Sequence, residues 1–253
     1  MILEPAPVKN RKYYLFENFP NLDLLCAFST RILGNMSLSY GDTGNALENR
    51  KNFLQELGID YRDLVCTKQV HGSVVRYIRE IDKGKGALSC DFAITDTDAL
   101  ITNKKNVPLS IFTADCLSVF LYAPKTPSIG LVHAGWRSSK ENILGKTAKL
   151  MQEKFNTKAE DLCVGFGPAI RGCCYEVGKK FTDFFSPEYL IKKNGRYYLD
   201  LVGINKKQLL VLGVKDKNIF DSKICTACRN EEFFSFRLGG IGCGRMMSVM
   251  MLR

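Results

Sequence analysis

LSIFTADCLSVFLYAPKTPSIGLVHAGWR, residues 109–137, decides the fold. It holds three apolar runs, Leu109–Thr113, Leu117–Ala123 and Ser128–His133, with Asp, Pro, Lys and Thr at the breaks. Each run is too short for an ordinary helix and is bounded by turn-forming residues. That is the pattern of strands buried on both faces of a sheet. Ala99–Thr102, just upstream, is a fourth run of the same kind. Outside this stretch the period changes to that of helices. Asn45–Leu57 places Leu47, Phe53, Leu54 and Leu57 on a stripe and ends before Gly58. Ser138–Phe155 opens on two serines that can cap and carries Ile143, Leu144, Ala148, Leu150 and Met151. Val202–Leu212 follows Asp200. Strands and helices in this order predict an α/β (α+β) sandwich, a single domain over residues 1–253 with a mixed central sheet flanked by helices.

The 253 residues are 45% hydrophobic and 25% charged, the balance of a folded globular chain. The formal net charge is +10. Lys and Arg are scattered without a long run, and neither an RNA-binding aromatic signature nor a helix-turn-helix pattern is present. The charge therefore reads as a solvated basic surface before a nucleic-acid footprint, and it is compatible with an anionic substrate or co-substrate. Met1–Lys12 lacks the apolar core of a signal peptide, and no stretch approaches the ~20 apolar residues of a membrane span. The expected location is the cytoplasm, where the ten cysteines are reduced thiols.

Only two histidines occur, His71 in KQVHG (68–72) and His133 in LVHAGWR (131–137). Gly72 is expected to supply the sharp turn beside His71. His133 and Cys116, the latter in TADC (113–116), both sit at ends of apolar runs, where α/β sheets place ligand-binding groups. Two imidazoles and one thiolate suit zinc, and three protein donors leave the fourth position open, as catalytic zinc sites do. The three lie far apart in the chain, so spacing alone does not join them, and a buried thiol is also a common core residue. Arg50 reads either as a phosphate contact or as a solvated helix Arg, and Asn35 lies near it in sequence. Asp115 reads as a proton-moving or ligand-orienting group or as a turn residue, and Gln69 as a substrate contact or a loop cap. Trp136 and Phe236 offer base-stacking rings but read more readily as core. Cys225 and Cys228 form a C-x-x-C. With no second such pair, and with Cys173 and Cys174 adjacent to each other, these four read as free thiols.

The same motifs resemble those of the YfiH family, also called the laccase-domain or polyphenol-oxidase family. KQVHG, DALIT (98–102), TADC and HAGWR carry the likeness, with GPAI (167–170), CCYEVG (173–178) and CTAC…FFSFR…GR (225–245). ENR (48–50) and Asn35 also fall at family-like positions. The resemblance implies a single-domain sandwich with zinc held by His71, Cys116 and His133. It also implies purine nucleoside chemistry: splitting adenosine, inosine and methylthioadenosine with phosphate, with adenosine deamination. Asp115 and Gln69 are then the catalytic candidates, and Asn35 and Arg50 the substrate contacts. Arg171-Gly172 departs from the Gly-Pro common in the family. The zinc-deaminase signature H-x-E with P-C-x-x-C is absent, so any deamination uses another arrangement. The rival activities are a Cys–His amidohydrolase editing cell-wall precursors, with Cys116 as nucleophile, and a polyphenol oxidase. A multicopper centre would need far more than two imidazoles. A non-enzymatic zinc module is a further alternative and would show a fourth protein ligand.

Overall fold

The computed structural model describes residues 11–17, 19–20 and 23–253. The reading of Met1–Lys12 therefore falls, apart from its last two residues, outside the described residues. In chain order the strands are β1 (Tyr13–Leu15), β2 (Leu24–Ser29), β3 (Val75–Tyr77), β4 (Ala99–Thr102), β5 (Leu109–Thr113), β6 (Leu117–Ala123) and β7 (Ser128–Ala134). They continue with β8 (Cys163–Phe166), β9 (Glu176–Val177), β10 (Leu190–Lys193), β11 (Arg196–Leu199), β12 (Ile219–Asp221) and β13 (Met246–Leu252). The α-helices are α1 (Ala46–Glu56), α2 (Trp136–Lys140), α3 (Ile143–Phe155), α4 (Leu201–Val211) and the single turn α5 (Phe236–Gly239).

A six-stranded sheet runs β12-β8-β6-β7-β4-β3, and a four-stranded sheet runs β1-β2-β13-β5. The larger sheet is mixed. β3–β4 and β12–β8 pair parallel, whereas β6 pairs antiparallel with both β7 and β8. Every residue of β6 and β7 is buried. Alternate side chains explain why. Val119, Leu121 and Val132 pack with Ile143, Leu144 and Met151 of α3, while Phe120, Tyr122, Ile129 and Leu131 pack with Leu109, Ile111 and Met250 of the smaller sheet. A strand covered on both faces has no polar side, so it reads as an unbroken apolar run. The Ser248 hydroxyl joins the layers at 2.8 Å from that of Ser118. The mixed α/β sandwich expected from the sequence is thus the fold found.

Two differences have local causes. The helix expected over Ser138–Phe155 is two helices, α2 and α3. Asn142 sits between them in left-handed geometry (φ 56°), and its side chain accepts from the Gly145 N–H. Its short amide tolerates that geometry and caps α3 from inside what reads as one continuous stripe. The start of α4 follows expectation, with the Asp200 carboxylate accepting from the Gly203 N–H at 2.9 Å. The second difference is β13, MMSVMML, which is central to the smaller sheet.

Candidate metal centre and its cavity

Strand register assembles the site. In the β6–β7 hairpin Ser118 lies opposite His133, which brings Cys116, one residue before β6, alongside it. Pairing of β4 with β7 sets Ala99 opposite Val132. Asp98 therefore falls beside His133 and accepts its backbone N–H at 2.8 Å through the Asp98 carbonyl. The third donor arrives on a loop. The Asp98 carboxylate, fully buried, takes the backbone N–H groups of Val70, His71 and Gly72 at 3.2, 3.0 and 2.8 Å. The sharp turn belongs to His71 itself, at φ 58°, and not to Gly72 as expected from the sequence. A non-glycine residue in this region costs on the order of 1 kcal/mol or more and persists only when its surroundings impose it. Here three N–H groups clamped on one carboxylate impose it.

The donor atoms of His71, Cys116 and His133 all lie within 4.8 Å of one another, and the two imidazoles meet nearly edge to face with centroids 4.8 Å apart. Asp98 Oδ1 stands 2.7 Å from His133 Nδ1. That leaves Nε2 to face the other two donors, the usual outer-shell arrangement of a metal-bound histidine. The donor set and spacing fit one metal ion. Burial works to raise the Cys116 thiol, but the charge of His133 and hydrogen bonds from both histidines outweigh it and bring it to about 6. Burial works to lower His133. The Cys116 thiolate and Asp98 outweigh that and lift it to about 9. Burial likewise acts to raise the Asp98 carboxyl, and the His133 contact and backbone donors hold it below its ordinary value.

Between about pH 6 and about pH 9 the Cys116–His133 pair thus retains one proton, placed on the imidazole. Metal coordination requires that proton to leave. Apparent metal affinity should rise about tenfold per pH unit across this window and level off above it. Below about pH 6 the thiolate takes up a second proton and the fall steepens. Calorimetry of metal binding at pH 7.5 in buffers of different ionisation enthalpy should report about one proton released from this pair. No proton release at this site would contradict the pairing.

Gly135 closes the metal centre from the side. A Cβ there would lie 3.0 Å from His71 Cδ2 and 3.2 Å from Cys116 Sγ. Gly135→Ala should therefore displace the donors by a few tenths of an ångström and weaken metal binding about tenfold, measured by chelator competition. Unchanged affinity would show that the donors are not held as tightly as this packing implies.

The three donors stand on the wall of a cavity of about 850 Å³. Its charged lining is Arg50, Lys68, Arg137, Arg237 and Arg245 against Asp115. Asp115 is itself consumed: its carboxylate accepts from the Thr226 hydroxyl at 2.6 Å, the Ser235 hydroxyl at 3.0 Å and the Arg237 N–H at 2.7 Å. It sits at φ 86° in the turn before Cys116. These bonds occupy both carboxylate oxygens and fix the turn before Cys116, which suits the ligand-orienting alternative better than the proton-moving one. Gln69 is also committed, since its amide donates to Phe112 O at 2.9 Å and accepts from Phe112 N at 2.7 Å, which pins the His71 loop to β5. Asn35 does not reach the cavity wall. Its side chain bonds the backbone of Ser37, Tyr40, Asp42 and Arg245 and so shapes the loop that does line it.

Arg50 is buried, against the solvated alternative, and lines the cavity. Its Nε donates to Met36 O and its Nη1 to Gly86 O and Ala87 O, with the guanidinium 4.7 Å over the Phe112 ring. Phe236 is 47% exposed at the cavity wall under Arg245, so it is not a core residue. Trp136 is half-buried against Phe181 and Phe184 and also lines the cavity. The sequence reading missed the Asp98 side chain as a site group, although DALIT holds a polar residue directly before an apolar run. Tyr175, Arg237 and Arg245 fall within the CCYEVG, FFSFR and GR motifs but were not singled out as site residues. The four cysteines read as free thiols are free, and they lie together: Cys173, Cys174, Cys225 and Cys228 place their sulfurs within 4.8 Å of one another.

The model of the family described as multi-copper polyphenol oxidoreductase laccase matches residues 30–253. The chain belongs to this laccase family. Among its relatives is a protein named purine nucleoside phosphorylase YlmD from Geobacillus stearothermophilus (strain DSM 13240 / CIP 106956 / 10), 34% identical over 85% of this chain and 81% of that one. A protein named adenosine deaminase RL5, from an unknown prokaryotic organism, is 29% identical over 81% of this chain and 80% of the relative. The crystal structure of YlmD from Geobacillus stearothermophilus superposes with a TM-score of 0.91 at 30% identity, covering 97% of this chain and 98% of that one. Both histidines of this laccase-family chain converge on the one candidate centre. Among the described residues no helix is long and apolar enough to cross a membrane.

Proposed function

We propose that this chain is a cytoplasmic, zinc-dependent purine nucleoside phosphorylase that splits adenosine, inosine and methylthioadenosine with phosphate and also deaminates adenosine. One observation carries the reading: three metal donors converge on the wall of a cavity whose charged lining is cationic and which also presents aromatic rings. The names of its relatives support the purine class.

His71, Cys116 and His133 would hold the zinc, with Asp98 orienting His133. Held there, zinc would supply Lewis acidity and would make water more acidic. The chain's own residues do the rest. Arg50 and Arg245 attract phosphate into the cavity, and Phe236 and Trp136 offer faces on which a purine stacks. Burial pushes the Tyr175 hydroxyl up, so it stays protonated and is a donor for the departing base. Incubation of the zinc-loaded protein with adenosine should give ribose 1-phosphate and adenine with phosphate present, and inosine without it. Chelation should abolish both activities. Absence of both products would overturn the purine reading.

Arg50 separates the two reactions. Its Nη2 makes no hydrogen bond among the described residues, which leaves one nitrogen for phosphate. Arg50→Lys removes the planar fork. The KM for phosphate should rise at least about tenfold, while inosine formation stays within about twofold. Equal loss of both reactions would assign Arg50 to the scaffold alone.

One observation favours a second reading. Cys116, His133 and Asp98 form a thiol–imidazole–carboxylate chain, with the thiol lowered to about 6. That is the arrangement of a cysteine amidohydrolase. It predicts an acyl group trapped on Cys116 and activity that survives chelation.

A further inference from the structure

Cys173 and Cys174 lie in the turn after Ile170, and Cys225 and Cys228 in the loop after β12. Some fifty residues separate the pairs, yet the sulfur of Cys228 stands 3.6 Å from that of Cys173 and 3.3 Å from that of Cys174. All four sulfurs fall within 4.8 Å of one another. Zinc–sulfur bonds of about 2.3 Å in a tetrahedron put sulfurs about 3.8 Å apart, within a few tenths of an ångström of the Cys173–Cys228 and Cys174–Cys228 separations. The Arg171 guanidinium holds the turn in place, paired with Asp221 at 2.9 and 2.7 Å and donating through Nε to Ile224 O. The four thiols are therefore converging donors on a braced frame, with no other hydrogen-bonding role evident in the loop.

We propose that Cys173, Cys174, Cys225 and Cys228 form a second, structural zinc site, closed by four thiolates and separate from the cavity centre. On binding, each thiol still protonated gives its proton to solvent, and four sulfur–zinc bonds form with no change of oxidation state. Four protein ligands leave no open position, so the site does no chemistry. It joins two segments that back the cavity. Ala169 bridges Cys225, Ile170 N donates to Asp115 O, and Thr226 bonds the Asp115 carboxylate. The ion thus braces the turn that presents Cys116. The proposal rests on these four sulfurs alone and stands or falls independently of the nucleoside reading.

Metal analysis of the full-length protein, purified reduced from zinc-supplemented cells, tests it. Wild type should hold two zinc ions per chain. Cys173→Ser/Cys228→Ser should hold one, and so should His71→Ala/His133→Ala. Cobalt(II) bound to the histidine double variant should show the strong sulfur-to-metal charge-transfer absorption of a tetrathiolate. If a variant fails to fold, native mass spectrometry of wild type counts the ions directly. One zinc per wild-type chain with the four thiols open to alkylation would overturn the proposal. So would disulfides among them, or iron with inorganic sulfide in place of zinc.

Discussion

Cys116→Ser is expected to abolish metal binding at the cavity centre and to reduce nucleoside cleavage on the order of 10³-fold, the several kcal/mol that a positioned Lewis acid supplies. The substitution is nearly isosteric, so the turn at Asp115 should persist. What disappears is a donor that the two histidines hold as thiolate near neutrality. A serine hydroxyl stays protonated there and leaves two imidazoles to hold the ion. Metal analysis should show this centre empty with any other bound metal unchanged, and kcat should fall with it. If activity drops while the metal remains, Cys116 is a nucleophile and not a ligand, which is the amidohydrolase reading.

Asp98→Ala is expected to have the largest effect on folding stability. One buried carboxylate holds the His133 ring and three consecutive backbone N–H groups of the His71 loop. Its loss leaves a buried imidazole and those donors unpaired, a destabilisation of about 3–5 kcal/mol. Metal affinity should fall at least about 10–100-fold, because the outer-shell acceptor that fixes His133 is gone and His71 is released from its left-handed turn. Asp98→Asn should be milder for stability, since its amide oxygen still accepts from the loop. It should nevertheless weaken metal binding, because the amide nitrogen cannot accept from His133 Nδ1. The carboxyl is held below its ordinary value, so its contribution is present above roughly pH 4 and is lost as pH falls through the lowered value. Thermal melts of both variants across pH 3–7 check this. A melting curve for Asp98→Ala like that of wild type would contradict the clamp.

The difference between these residues and the ones the sequence pointed to is physical. β5, β6 and β7 were legible because burial on both faces leaves a continuous apolar run, and polar residues at the ends of such runs, Cys116 and His133, stood out. β13 was not singled out, because its methionines favour a helix at least as readily as a strand. Asn142 breaks a helix inside an apolar stripe that continues across it, and a stripe does not register a single left-handed residue. Gln69 and Asp115 line the cavity and Asn35 lies behind it, and the hydrogen bonds of all three are taken by backbone groups and hydroxyls. A motif shows that a polar residue is present and not whether its hydrogen bonds are already used. The four cysteines are free thiols, as read from the sequence, but their convergence was not legible: Cys173 and Cys228 are 55 residues apart and are brought together by the Ala169–Cys225 bridge and the Arg171 contacts.

The most direct test is an anomalous-difference map at the zinc absorption edge, from crystals of the zinc-loaded protein. It should show a peak bonded to Cys116 Sγ, His133 Nε2 and a nitrogen of His71, with its remaining position facing the cavity. A cavity wall without that peak, or an ion there closed by a fourth protein ligand, would contradict the account.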